Sequence, residues 1–130
     1  MIIDGKIIAS ELLAELRPKT SGLPAGAYFG AVVVGEDPAS LNFLKQKEKV
    51  AHELGVDFRL YKLPPNITTD DLRREISRLA GPKNCRGFIV QLPLPENLSN
   101  KHYILNAVPK EKDADCLSEA ALGAFYTDRH

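Results

Sequence analysis

Lys47 is the residue of this 130-residue chain whose type and setting first point to chemistry. It follows an apolar run, Ala31-Val-Val-Val34, that stops at Gly35, and a short acidic turn, Glu36-Asp37. A helix pattern begins at about Pro38. On a wheel of roughly 100° per residue, Phe43, Leu44, Val50, Ala51 and Leu54 share one arc roughly 120° wide. Lys47 falls near the middle of that arc, whereas Lys45, Glu48, Lys49, His52 and Glu53 fall outside it. An inward ammonium is costly unless something pairs with it or needs it. The bland alternative is a snorkelling lysine whose stem lies on the core and whose head reaches the rim. The second candidate is Gln91, at the end of the short apolar run Phe88-Ile89-Val90.

The elements that must position these groups alternate along the chain. Ile2-Ile3 reads as a short strand, and Ser10 as the cap of a helix to about Arg17, with Ile8, Leu12, Leu13 and Leu16 apolar. Residues 18 to 26 read as a loop. Tyr28 to Val34 suits a strand covered on both faces. The helix from Pro38 to about Leu54 ends where Gly55 can take a C′ position. Val56 to Leu63 alternates as a less buried strand. A helix with an acidic first turn follows Thr69 and ends near Gly81-Pro82. Arg86 to Gln91 is a strand, and the prolines of Leu92-Pro93-Leu94-Pro95 cannot continue it in a sheet centre. Ser99 or Asn100 caps a helix to about Ala107, residues 110 to 116 form a charged loop, and Ser118 to Phe125 reads as a last helix.

Strand and helix in alternation predict an α/β fold, three-layered α/β/α with a mainly parallel sheet. Ligands of such sheets sit beyond the carboxyl ends of the strands, where both the Gly35 turn leading to Lys47 and Gln91 fall.

Composition excludes several classes. Lys plus Arg and Asp plus Glu are both 17, which gives no basic excess for a nucleic-acid partner. No apolar run approaches the ~20 residues of a membrane span. The N-terminus shows no secretory leader, and Cys85 and Cys116 are expected as free thiols in a cytoplasmic protein. His52, His102 and His130 lack metal-ligand spacing. Residues 110 to 115 lack the glycine and closing glutamate of a calcium loop.

Three motifs, in order and correctly spaced, together resemble the methylenetetrahydrofolate dehydrogenase/cyclohydrolase (FolD) family. They are Val34-Gly35-Glu-Asp-Pro-Ala39-Ser40-x-x-Phe43-x-x-x-Lys47, Gly87-Phe-Ile-Val-Gln91-Leu-Pro93-Leu-Pro95 and Pro109-x-x-Lys112-Asp113-x-Asp115. Asp4-Gly5-Lys6 also matches. The resemblance covers nearly the whole chain, residues 1–130, but only the family's N-terminal folate-binding catalytic domain.

It implies oxidation of 5,10-methylenetetrahydrofolate with NADP, less often NAD, followed by hydrolysis of the methenyl product to 10-formyltetrahydrofolate. It also implies roles. Lys47 is the essential lysine, acting in proton transfer and in placing the tetrahydrofolate derivative. Gln91 hydrogen-bonds and tunes it, and Asp115 accepts from the pterin edge. Phe43 stands where a tyrosine usually stacks on the folate. Ser40, Leu92 and Pro93 are expected to support the substrate site. A lysine desolvated against Val50, Leu54 and an aromatic ring would have a lowered pKa, useful for acid–base work.

The chain departs from the family in three ways. Phe43 keeps the ring and loses the hydroxyl. Cys116 replaces a glycine and would be strained at positive φ. No glycine-rich dinucleotide fingerprint is present, so NADP would bind through a C-terminal Rossmann domain absent from this chain. The abrupt end is expected of a fragment, with a shortened relative as the alternative. The family is a homodimer largely through that domain, so a chain ending here is expected as a monomer. A folate- or pterin-binding module without turnover is the rival to an enzyme, and a snorkelling Lys47 in an assembly domain is the bland third.

Overall fold

A computed structural model describes residues 2–127. Three parallel strands form the centre: β1 (Tyr28–Val34), β2 (Asp57–Leu63) and β3 (Cys85–Val90), in the order β2-β1-β3. β1 lies in the middle, with Phe29 opposite Phe58 on one side and Gly87 on the other. The helices are α1 (Gly5–Thr20), α2 (Pro38–Glu53), α3 (Thr69–Ala80), α4 (Lys101–Leu105) and α5 (Glu119–Tyr126). This is the expected α/β architecture.

Because successive side chains of a strand point to opposite faces, β1 feeds two cores. On one face Tyr28, Val32 and Val34 pack with Phe88 and Val90 of β3 and with Leu72, Ile76 and Leu79 of α3. On the other, Ala31, Val33 and Ile89 meet Leu44 of α2. The strand order reverses at β1, since β2 and β3 lie on opposite sides of it. That is where a doubly wound sheet opens a crevice.

Local chemistry fixes the ends of α2. Gly35 takes φ +81°, open to glycine but strained for other residues, and its N–H donates to Leu63 O at 2.9 Å. Asp37 caps the helix and Pro38 occupies its first turn. At the far end Gly55 takes φ +70° as anticipated.

The N-terminal expectations need correction. Ile2 and Ile3 form no strand; Ile2 is 96% exposed. Asp4, not Ser10, caps α1, accepting from Lys6 N–H at 2.9 Å. The helix runs on through Pro18 to Thr20, so residues 18 to 20 are not loop. A proline costs a helix one backbone bond, which is least damaging in the last turn. α4 is also shorter than expected, ending at Leu105.

Candidate functional site

α2 carries two neighbouring stripes. Ser40 and Leu44 turn toward the sheet, and Leu44 is fully buried. One step around the helix, Phe43, Lys47, Val50 and Leu54 line a groove of about 510 Å³. Its other walls are Phe29, Val56 and Phe58 at the start of β1 and β2, Ile89 of β3, and Asp115. Phe29 and Phe58 stack with centroids 6.0 Å apart. The groove is therefore mostly apolar, with charged groups from Lys47 and Asp115. That is the composition of a site for a flat organic molecule with a few polar handles.

Lys47 Nζ donates to Gln91 Oε1 at 3.3 Å. Gln91 Nε2 donates in turn to Leu92 O at 2.8 Å, so the amide oxygen is the end left for the lysine. The backbone N–H of Gln91 is held by Val32 O at 2.9 Å, which seats it at the strand end. Lys47 is exposed, which corrects the expected desolvation. The wheel placed it correctly on the apolar side, but its neighbours Phe43 (57% exposed) and Val50 (38% exposed) border an open groove rather than a sealed core.

Lys47, Phe43 and Asp115 line the groove, and Gln91 joins them through its bond to Lys47. The other expected residues do not line it, although Leu92 O meets the Gln91 amide. Ser40 is buried beneath α2 and lies outside the groove lining. Its N–H donates to Asp37 at 2.8 Å, and hydrogen bonding from Ser40 holds the Asp37 carboxyl below the usual range. Leu92 and Pro93, joined by a cis peptide bond, are exposed and also outside the lining. Sequence reasoning missed Phe29, Phe58 and Val56, which form the apolar end of the groove. The alternation of Val56 and Phe58 is visible in the sequence, whereas Phe29 lies in a run expected to be covered on both faces; which face lacks cover is not visible.

The loop bearing Asp115 follows a 3₁₀ turn, Lys110–Lys112. Cys116 takes φ +55°, the strained conformation anticipated for a residue in place of glycine. Among the described residues no group of three His, Cys, Asp or Glu could hold a metal. His130 lies outside the described residues. No described helix is long and apolar enough to cross a membrane. Cys85 and Cys116 are free thiols.

A lysine–amide pair at the end of β3 and a carboxylate from a later loop, beside an apolar groove, give an α/β domain with the composition of a small-molecule site. Residues 3–115 match the family model "Tetrahydrofolate dehydrogenase/cyclohydrolase, catalytic domain", and the chain belongs to that family. It is 41% identical over 130 residues to the bifunctional protein FolD of Rickettsia bellii, covering 97% of this chain and 46% of that protein. The fold matches a 5,10-methylenetetrahydrofolate dehydrogenase from Bombyx mori with TM-score 0.90 at 31% identity, covering 98% of this chain and 45% of the other. A dehydrogenase-cyclohydrolase from Trypanosoma brucei, solved with NADP and an inhibitor, matches with TM-score 0.87 at 29% identity, covering 100% and 45%. The chain thus spans less than half the length of these relatives.

Proposed function

We propose that this chain is the folate-binding catalytic half of a 5,10-methylenetetrahydrofolate dehydrogenase and 5,10-methenyltetrahydrofolate cyclohydrolase of one-carbon metabolism. The observation that carries the reading is the Lys47 Nζ to Gln91 Oε1 hydrogen bond at the mouth of a groove shared with Phe43 and Asp115. A pterin edge offers adjacent N–H donors, and an ionised Asp115 can accept two side by side. The Phe43 ring, one helical turn before Lys47, offers a stacking face. A folate lying on it brings its one-carbon bridge toward the amine.

In the hydrolysis, water adds to the bridging carbon and loses one proton, which Lys47 passes to solvent. The resulting hydroxyl then gives up its proton as the bond from carbon to N5 breaks. Lys47 relays that proton to N5, leaving the formyl group on N10. Gln91 keeps the amine aimed without fixing its charge. This is general acid–base work by one side chain.

Dinucleotide binding does not fit this chain's own turns. The Gly35 turn puts Glu36 and Asp37 at the start of α2, and α3 begins with Asp70 and Asp71. Each would repel a phosphate where a helix N-terminus otherwise attracts one. Hydride transfer is accordingly assigned to no residue here.

Lys47→Met should abolish loss of the methenyl absorbance while circular dichroism and folate binding persist. Full hydrolysis by that variant would remove Lys47 from the mechanism. Folate binding without hydrolysis by the unaltered chain would favour a binding module, a reading supported by the hydroxyl that Phe43 lacks.

A further inference from the structure

The segment from Pro109 to Ser118, which carries Asp115, is fastened more firmly than an exposed loop requires. Lys112 Nζ donates to three backbone carbonyls, Ala80 O at 2.6 Å, Pro82 O at 2.8 Å and Gly81 O at 3.0 Å. Ala80 and Gly81 close α3, where a helix leaves carbonyls unmet and its dipole is negative, and Pro82 O, just beyond, also accepts from Cys85 N–H at 3.0 Å. The three ammonium hydrogens are thereby all used. One residue on, the Asp113 carboxylate accepts from Leu117 N–H at 3.3 Å and Ser118 N–H at 2.7 Å. Asp113 also bridges β3 at Phe88, and Cys116 N–H closes onto Asp113 O at 3.2 Å. Asp115 stands at the crown of this short arch, on the groove wall with Lys47. The arch is tied at Lys112 on one side and at Leu117 and Ser118 on the other.

We propose that Lys112 is a positioning residue for ligand binding. By lashing the arch to the end of α3, it sets the aim of Asp115 into the groove. Its ammonium never meets the ligand. The proposal rests on the folate reading and adds a residue to it. The competing role is a helix cap that contributes stability and nothing to binding.

Coupling separates the two. The affinity for 5-formyltetrahydrofolate, a stable compound with the same pterin edge, is measured calorimetrically for the unaltered chain, Lys112→Met, Asp115→Asn and the double variant. Each is studied at a temperature where circular dichroism shows it folded. Lys112→Met should bind about tenfold more weakly, as expected for a misaimed charge-assisted hydrogen bond. Asp115→Asn should lose a similar factor, and the double variant should lose no more than either. Lys112→Arg, which keeps the charge and can reach carbonyls with its fork, should recover most of the affinity. Additive losses, or unchanged affinity with a lowered melting midpoint in Lys112→Met, would overturn the proposal and leave a helix cap. If Lys112→Met does not fold, Lys112→Gln takes its place in the same cycle and is read the same way. Failure of the unaltered chain to bind would sink the folate reading itself, and the role of Lys112 with it.

Discussion

From β1, Tyr28, Val32 and Val34 point one way and Phe29, Ala31 and Val33 the other. The first set enters a face sealed by α3, α4 and the turns around them, with fifteen buried residues among those described. The second enters a face with four, covered by α2 alone. The same strand therefore serves as the floor of a core on one side and the floor of a groove on the other. Apolar area withdrawn from water stabilises the fold by roughly 25 cal/mol per Å², and that term is concentrated on the sealed face. The open face keeps Phe43 and Val50 in contact with solvent, the condition under which apolar side chains can still meet a ligand. Stability and binding are divided between the two sides of one sheet.

The division can be broken most directly by truncation. Ile76 is fully buried against the sealed face, and Ile76→Ala should cost about 3 kcal/mol through lost transfer energy and a cavity. Val50 is 38% exposed beside the groove, and Val50→Ala should cost less than about 1 kcal/mol. Urea unfolding of both variants checks this, and equal costs would erase the distinction.

A matched pair of glycines sharpens it. A Cβ at Gly30 would lie 2.5 Å from the ring of Phe88, which has no exposure and no room to yield. Gly30→Ala should cost about 2–3 kcal/mol by overpacking. A Cβ at Gly87 would lie 2.7 Å from the ring of Phe29, which borders the groove and can swing into it. Gly87→Ala should cost about 1 kcal/mol, with a change in folate affinity that Gly30→Ala lacks. Thermal melts ordered the other way would reverse the assignment of faces.

The smallest effect belongs to the loop on the open side. Cys116 at φ +55° carries the penalty of a side chain in the left-handed region. Cys116→Gly should raise stability by about 0.5–1 kcal/mol once glycine's greater unfolded freedom is offset. A melting midpoint that falls would mean the thiol makes a compensating contact.

Much of this was readable in the residues. β1 is a short apolar run between two positive-φ glycines, Gly26 and Gly35, and α2 is bounded by Asp37-Pro38 and Gly55, so both elements are marked by local chemistry. The wheel placed Lys47 on the correct flank because a helix's period fixes directions. It could not show that this flank borders a groove, because cover is supplied by elements distant in sequence. The N-terminal helix failed for the same reason. Ile8, Leu12 and Leu16 gave its period, but α1 buries no residue, so no packing signal marked its start and Ser10 was mistaken for Asp4 as the cap. The positive φ at Cys116 followed only from the resemblance, since nothing in Asp115-Cys116-Leu117 announces it.

The reach of Lys112 to the end of α3 bears on how this chain is made. Five of the sealed face's fifteen buried residues, Leu94, Leu98, Ile104, Leu105 and Val108, come after the last strand. The lysine that ties off α3 comes later still. A nascent chain whose three strands have already left the ribosome still lacks a third of that core and the ammonium that meets the carbonyls at the end of α3. Domains fold as units during synthesis, so this face of the sheet, covered only by α3 at that stage, is completed when the residues from Leu94 to Lys112 emerge.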